Sequence, residues 1–280
     1  MIAVQTASTA VAAELLSAAS SICRVGHLDV RLACSDQEVA AAQALRFDIF
    51  YREMGATPSD LHLATGRDID PYDAVCDHLL VIDHGLDGAP RVVGTYRLLR
   101  QTVAERHRGF YSAGEFDLSP LLASVPEGSQ LLELGRSCVA PAYRNITTIT
   151  LLWRGIASYL RMHNVSHLFG CASLCGADPD LHAAELSYLY HNHLAPRGLR
   201  PRVHLDQWVP MDRLPAGSYD LSATVRALPP LVKGYLRVGA MVGDGAFVDR
   251  QFNTVDVCVV MPVDRITSRY ADRFAANEAG

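Results

Sequence analysis

The order of the periodic segments constrains this chain more than any single motif. His78–Asp83 and Arg91–Arg100 are strand-like runs joined by the turn Gly85–Pro90, so they close as an antiparallel hairpin. Further on, the strand-like runs Gln130–Val139 and Ser166–Ser173 are separated by Ile146–Met162, where Ile149, Leu152, Ile156 and Leu160 recur at helical spacing. Strands joined through a helix run parallel. A chain with both kinds of connection builds a mixed sheet with helices on its faces, an α/β or α+β sandwich. Other segments fall in around this frame. Leu28–Ala33 alternates as a strand, and Ser35 with Glu38 three residues on opens a helix to about Met54 that stops at Gly55. Residues 101–128 read as irregular, with one or two short helices. Asp180–Leu194 reads as a helix, Val203–Met211 as a strand, 212–230 as a linker, Leu231–Met241 as a helix and Val255–Met261 as the last strand.

Composition narrows the function classes. The 280 residues are 49% hydrophobic and 20% charged, enough to bury a core. A net charge of −5 argues against broad nucleic-acid binding. Lys233 is the single lysine among 25 basic residues, and arginine suits carboxylate and phosphate recognition. Seven cysteines without a CxxC point to a reducing cytoplasm rather than a disulfide framework, and Cys171-x3-Cys175 has no second ligand pair to make a zinc site. No metal is expected. The Ala/Ser-rich Met1–Ile22 lacks the basic start of a signal peptide, and no run of about 18 apolar residues exists to span a membrane.

Two clusters put charge where the pattern is apolar, and a third gathers four aspartates in a polar, turn-rich stretch. Arg46 and Phe50 lie four apart on one predicted helix, so they share a face, and an inward arginine needs a partner. Asp68, Asp70, Asp73 and Asp77 fall within ten residues and suit either a solvated turn or the binding of a cation. Glu133 and Arg136 interrupt an otherwise buried strand. Three apart, they face opposite sides unless a bulge intervenes, and Gly135 between them is placed for one. A structural ion pair is the alternative.

In order and spacing, Arg46-x3-Phe50, Asp70-x2-Asp73, Gly94-x2-Arg97-Leu-Leu and Glu133-x2-Arg136 resemble the acyl-homoserine-lactone synthases of the GNAT-like acyltransferase superfamily. The chain departs from them at Ala56, where those enzymes typically carry tryptophan, and it continues past their usual end. Its tail, Pro229 to Asp256, resembles the C-terminal segment of the bacterial L-ornithine Nα-acyltransferases of ornithine-lipid synthesis. That resemblance covers roughly residues 29–262. It implies a GNAT-like acyl-CoA N-acyltransferase fold, with a mixed sheet splayed near the Glu133 strand. The implied layout is a flexible extension over 1–27, a core over 28–211, a C-terminal extension over 212–262 packed on the core, and a tail over 263–280. The implied activity is transfer of a 3-hydroxyacyl chain from acyl carrier protein to the α-amine of L-ornithine, giving lyso-ornithine lipid. Acyl carrier protein is then a co-substrate, no cofactor is bound, and the place of action is the cytoplasm or the inner face of the cytoplasmic membrane.

On this resemblance Glu133 and Arg136 are the catalytic candidates, with Glu133 as base. Asp70 and Asp73 are candidates to receive a substrate ammonium, and Arg46, Arg97 or Arg136 to bind its carboxylate or to hold those aspartates. Phe50 joins the substrate site, and Lys233 with Tyr235 sits in the tail that would close it. The turn Arg144-Asn-Ile-Thr-Thr-Ile149, which opens the helix after the Glu133 strand, has no glycine to cradle a CoA pyrophosphate. That favours a carrier-borne phosphopantetheine arm, with Arg144 and Arg154 toward the carrier or its phosphate. A synthase acylating a different amine, including an acyl-homoserine-lactone synthase, and a non-catalytic carrier- or lipid-binding module are the alternatives. His78-x4-Asp83 matches a glycerolipid acyltransferase spacing, but on a strand these two residues face opposite sides.

Overall fold

The computed structural model describes residues 21–85 and 90–266. The extension expected over 1–27 and the tail over 263–280 therefore lie largely outside the described residues. Strands β1 (Cys23–Val25) and β2 (Leu28–Leu32) precede helix α1 (Asp36–Phe47), which continues as a π-helical turn, Asp48–Glu53. Helix α2 (Asp60–Thr65), the hairpin β3 (Asp77–Asp83) and β4 (Arg91–Arg100), and helix α3 (Gln101–Ala104) follow. Then come β5 (Phe116–Asp117), α4 (Ser119–Ala123), β6 (Gln130–Val139), α5 (Ile146–His163), β7 (Val165–Cys175) and α6 (Ala183–His193). The chain ends through β8 (Arg202–Val203), α7 (Leu221–Ala227), α8 (Pro230–Arg237), β9 (Met241–Val242), β10 (Phe247–Asp249) and β11 (Thr254–Pro262). Antiparallel and parallel pairings both occur, the mixed arrangement that the order of periodic segments predicts.

Two compact units divide the chain. The first takes the described part of Met1–Glu53 with Ser59–Leu98 and Arg136–Met162. Within it β1, β2, β3 and β4 are successive antiparallel neighbours. Ser35 caps α1 by accepting the Glu38 N–H at 3.3 Å. Ala42 of α1 packs on Leu80, Ile82 and Val92. Helix α5 lies close to the sheet because Gly155 has no side chain: a Cβ there would sit 2.7 Å from Leu79 and 3.0 Å from Val30. The predicted stripe is buried at Leu152, Ile156 and Leu160, whereas Ile149, in the first turn, is exposed.

The second unit takes Met54–Pro58, Leu99–Gly135 and the described part of His163–Gly280. Here β6 runs parallel to β7, and β7 pairs antiparallel with β11 over nine residues, from Thr254 opposite Cys175 to Pro262 opposite His167. Strands β9 and β10 also pair with β11. Every residue of β11 is buried and all but Thr254 and Asp256 are apolar, so its burial does not alternate. The segment 212–262, read from the sequence as an extension packed on a core, therefore supplies strands of the sheet itself. Of residues 203–211 only Val203 lies in a strand, as the last residue of β8, and the expected linker carries α7.

The β6–β7 pairing covers Gln130–Glu133 and ends there. Just beyond, the Leu134 carbonyl oxygen approaches β7 so closely that a Cβ at Gly170 would lie 2.2 Å from it. Only glycine fits that position.

Candidate active site

The first unit buries a balanced ion network. Arg46 is fully buried, and its guanidinium is bonded all round. Nε donates to Asp68 Oδ2 at 2.7 Å, Nη1 to Asp73 Oδ1 at 2.9 Å, and Nη2 to Asp73 Oδ2 at 2.8 Å and to the Asp68 carbonyl. Arg97 donates to Asp70 Oδ2 at 2.5 Å and to Asp73 Oδ1 at 3.3 Å. Arg136 donates to Asp68 Oδ2 at 3.2 Å and to Asp70 Oδ2 at 3.0 Å. Gln43, Tyr51 and the backbone N–H groups of Asp70 and Tyr72 add further donors. Three arginines thus meet three aspartates. Burial pushes Asp70 and Asp73 up, but their arginines outweigh it and hold both carboxylates below the ordinary range, Asp73 far below.

Of the two roles the sequence leaves to the arginines, holding the aspartates is the one seen. The oxygens of Asp70 and Asp73 expected to receive an ammonium accept from Arg97, Arg136, Arg46 and Gln43 instead. Arg136 itself has φ +50°, a left-handed conformation that costs a residue with a side chain about 1–2 kcal/mol. The irregularity expected at Gly135 thus falls one residue later, where two ion pairs hold it. Phe50 is half-buried in the π-helical turn after α1, so the simple i,i+4 face shared with Arg46 does not carry through.

The second unit holds Glu133, 4% exposed at the end of the β6–β7 pairing. Its Oε2 accepts the Tyr111 N–H at 2.8 Å, and its Oε1 accepts the Ser112 N–H at 2.7 Å and the Ser112 hydroxyl at 2.5 Å. Ser112 Oγ also lies 3.3 Å from Cys171 Sγ, which donates to Glu115 Oε2 at 3.1 Å. Oxygens of Glu115 and Asp256 and the Cys171 sulfur all fall within 4.8 Å of one another. Burial pushes Glu115 up to about 8, and the charges of Asp256, Asp249 and Glu133 add to it. Burial also raises the Cys171 thiol well above its ordinary range, helped by Glu115 and Asp256. Beside this cluster an apolar crevice is lined by Leu134, Phe169, Gly170, Tyr235, Val259 and Met261. Of the two tail residues singled out from the sequence, Tyr235 lines this crevice. Lys233 instead donates to the Arg226 carbonyl at 3.0 Å, at the end of α7.

The two arginines expected near the acyl donor have partners within the chain. Arg144 forms a bidentate pair with Glu53 at 2.6 and 2.7 Å. Arg154 is half-buried on α5 and donates to Cys23 Sγ at 3.0 Å. At the start of α5 the Asn145 side chain accepts the Thr148 N–H at 3.1 Å, so this helix caps itself. Sequence reasoning missed Ser112, Glu115 and Asp256. The first two sit in a stretch without periodicity, and Asp256 looks like one polar residue in an apolar strand.

Residues 45–154 match the acetyltransferase (GNAT) domain family. The L-ornithine N(alpha)-acyltransferase of Brucella abortus is 46% identical over 255 residues, 90% of each chain. That of Rhizobium meliloti is 45% identical over 91% of this chain and 86% of its own, and that of Rhodobacter capsulatus 40% identical over 90% and 96%. Among solved structures, the AHL synthase LasI is 14% identical, covers 84% of this chain and 90% of its own, and superposes with a TM-score of 0.44. With these relatives matched along nearly its whole length, the chain belongs to the L-ornithine N(alpha)-acyltransferase family, a group of N-acyltransferases.

Proposed function

We propose that this enzyme moves a 3-hydroxyacyl chain from acyl carrier protein to the α-amine of L-ornithine, giving lyso-ornithine lipid, with Glu133 as the base. The observation that carries the chemistry is Glu133 itself: a buried carboxylate, held by three donors at the point where strand pairing stops, next to an apolar crevice. In this reading the neutral α-amine attacks the thioester carbonyl carbon. The C–N bond forms, the C–S bond breaks, and the departing thiolate takes up a proton. Glu133, directly or through a water, accepts the proton the amine loses. Side-chain amines titrate near 10.4 and peptide α-amines near 8, so the α-amine is the easier one to present unprotonated. Leu134, Phe169, Tyr235, Val259 and Met261 give this crevice an apolar lining, the chemistry an acyl chain would meet.

The carrier-protein donor is supported by the start of α5. It has no glycine, and its Thr148 N–H is already taken by Asn145, so a pyrophosphate finds one fewer backbone donor there.

The test is a competition. Purified enzyme receives 3-hydroxyacyl carrier protein with equal ornithine, lysine, glutamine and S-adenosylmethionine, and products are read by mass spectrometry. N-acyl-ornithine is expected to dominate, and replacing the carrier by acyl-CoA to slow the reaction. Glu133→Gln is expected to cut turnover by roughly 10²–10⁴-fold with the fold intact. Acylation of another amine overturns the ornithine assignment, and equal use of acyl-CoA overturns the donor.

A further inference from the structure

Glu133 does not end its own hydrogen-bond network. Ser112 Oγ bridges from Glu133 Oε1 at 2.5 Å to Cys171 Sγ at 3.3 Å, and Cys171 Sγ donates to Glu115 Oε2 at 3.1 Å. The result is a contiguous line of carboxylate, hydroxyl, thiol and carboxylate within one compact unit, in which Ser112 and Cys171 donate outward to Glu133 and Glu115 and meet each other oxygen to sulfur. Ser112 is 1% exposed and Glu115 7%. Hydroxyl and thiol each donate one proton and accept another, the property a proton-passing chain requires.

We propose that Glu115 receives, through Ser112 and Cys171, the proton that Glu133 takes from the attacking amine. The proposal rests on the reading of Glu133 as base and makes Glu115 a positioning residue that resets it. Once Glu133 is protonated, the Ser112 hydroxyl turns from Glu133 toward Cys171 Sγ; the new O–H bond of Glu133 then breaks and its proton passes to Ser112 Oγ. The proton Ser112 carried passes to Cys171 Sγ, and the one Cys171 carried passes to Glu115 Oε2. One O–H bond is lost at Glu133 and one forms at Glu115. Ser112 and Cys171 end with the protons they need, and Glu133 is again a carboxylate.

The direction follows from the surroundings. Burial, then the charges of Asp256, Asp249 and Glu133, give Glu115 a stronger hold on a proton than an ordinary carboxylate, with a midpoint at about 8. Burial keeps Cys171 a neutral thiol that passes a proton without storing charge. The groups facing Glu115 are Glu133 on β6, Cys171 on β7, Asp249 on β10, and Asp256 and Cys258 on β11. His204 adds its backbone N–H, which donates to the Glu115 carbonyl at 3.1 Å. Glu115 accepts a proton only when ionised, so the chain works better as pH rises through about 8.

The experiment is kcat against pH at saturating substrates for wild type, Glu115→Gln, Cys171→Ala and Cys171→Ser, each checked for an unchanged unfolding midpoint at low pH. Wild type is expected to rise with an inflection near 8. Glu115→Gln and Cys171→Ala lose that inflection and turn over roughly 10-fold more slowly above it, the scale on which supporting partners act. Cys171→Ser, whose hydroxyl also donates and accepts, restores it. A wild-type profile without the inflection, or one retained in Cys171→Ala, overturns the relay. Glu133→Gln separates the two readings: if it stays active the base assignment falls, whereas if it is inactive and Glu115→Gln keeps the wild-type profile, only the relay falls.

Discussion

Two buried clusters of carboxylates occupy the two units, and their protons respond in opposite directions. In the first unit Asp68, Asp70 and Asp73 face Arg46, Arg97 and Arg136, and Asp70 and Asp73 are held below the ordinary carboxylate range. In the second, Glu115 lies among Asp256, Asp249 and Glu133 and is pushed up to about 8. Burial acts the same way on both, always against the ionised form. What differs is the neighbour. Arginines fix a charge permanently and build rigid structure, whereas neighbouring carboxylates leave a proton poised near working pH. The first arrangement suits a scaffold and the second suits chemistry.

The most direct way to break this contrast is to remove the central cation. Arg46→Ala leaves Asp68 and Asp73 buried with less compensation, which costs about 3–5 kcal/mol of stability at neutral pH. The pH dependence has a definite sign. The native values of Asp70 and Asp73 lie below the ordinary 3.8, so the stability they supply is fully present above about pH 4 and is lost as pH falls through the native values. In Arg46→Ala the remaining aspartates protonate more easily, so the gap between variant and wild type narrows in acid. Denaturant unfolding at neutral and acid pH measures this. A gap that stays constant means the network does not hold the aspartates ionised.

Much of this was legible in the sequence, for a physical reason in each case. The hairpin, the α5 crossover and the β7 and β11 strands follow from periodicity, because each buries a face or both faces of a sheet. Arg46 and Arg136 stand out because charge in an apolar pattern demands a partner, Asp70 and Asp73 because aspartates crowd one turn-rich stretch, and Arg97 through the family resemblance alone. Which residue pairs with which was not legible, since pairing depends on contacts tens of residues apart, as between Arg136 and Asp68. Ser112 and Glu115 carried no signal at all. They lie between Gly109 and Phe116, where the backbone is irregular, and their role is set by strands far away in the chain. Periodicity marks Val255–Met261 as the last strand but does not name its neighbour, which is β7.

A comparable effect sharpens the comparison from the other side. In the folded chain Glu115 stays neutral to about pH 8, whereas its ordinary value is 4.5. Between those values the folded state holds a proton that the unfolded state has released, so wild-type stability falls as pH rises through that window and levels off above it. Glu115→Gln keeps the shape without the titration. Relative to wild type it gains on the order of 5 kcal/mol between the bottom and the top of the window. Thermal midpoints of both proteins across that pH range measure the gain. A difference that does not change with pH means Glu115 is ionised in the fold, and the contrast between the two clusters disappears.

The smallest effect concerns a residue that belongs to neither cluster. Lys233 was a candidate to touch substrate because it is the one lysine of an arginine-rich chain and stands in the family-like tail. Its ammonium instead meets the Arg226 carbonyl in the last turn of α7, where a cation offsets the negative end of a helix. Such a contact contributes about 0.3–1 kcal/mol. Lys233→Ala should therefore lower stability by that amount and leave kcat and the KM for the amine within about twofold, since no reacting group loses a partner. A drop in kcat/KM of tenfold or more at unchanged stability would instead place the ammonium on the substrate. The tail would then contribute charge to the site.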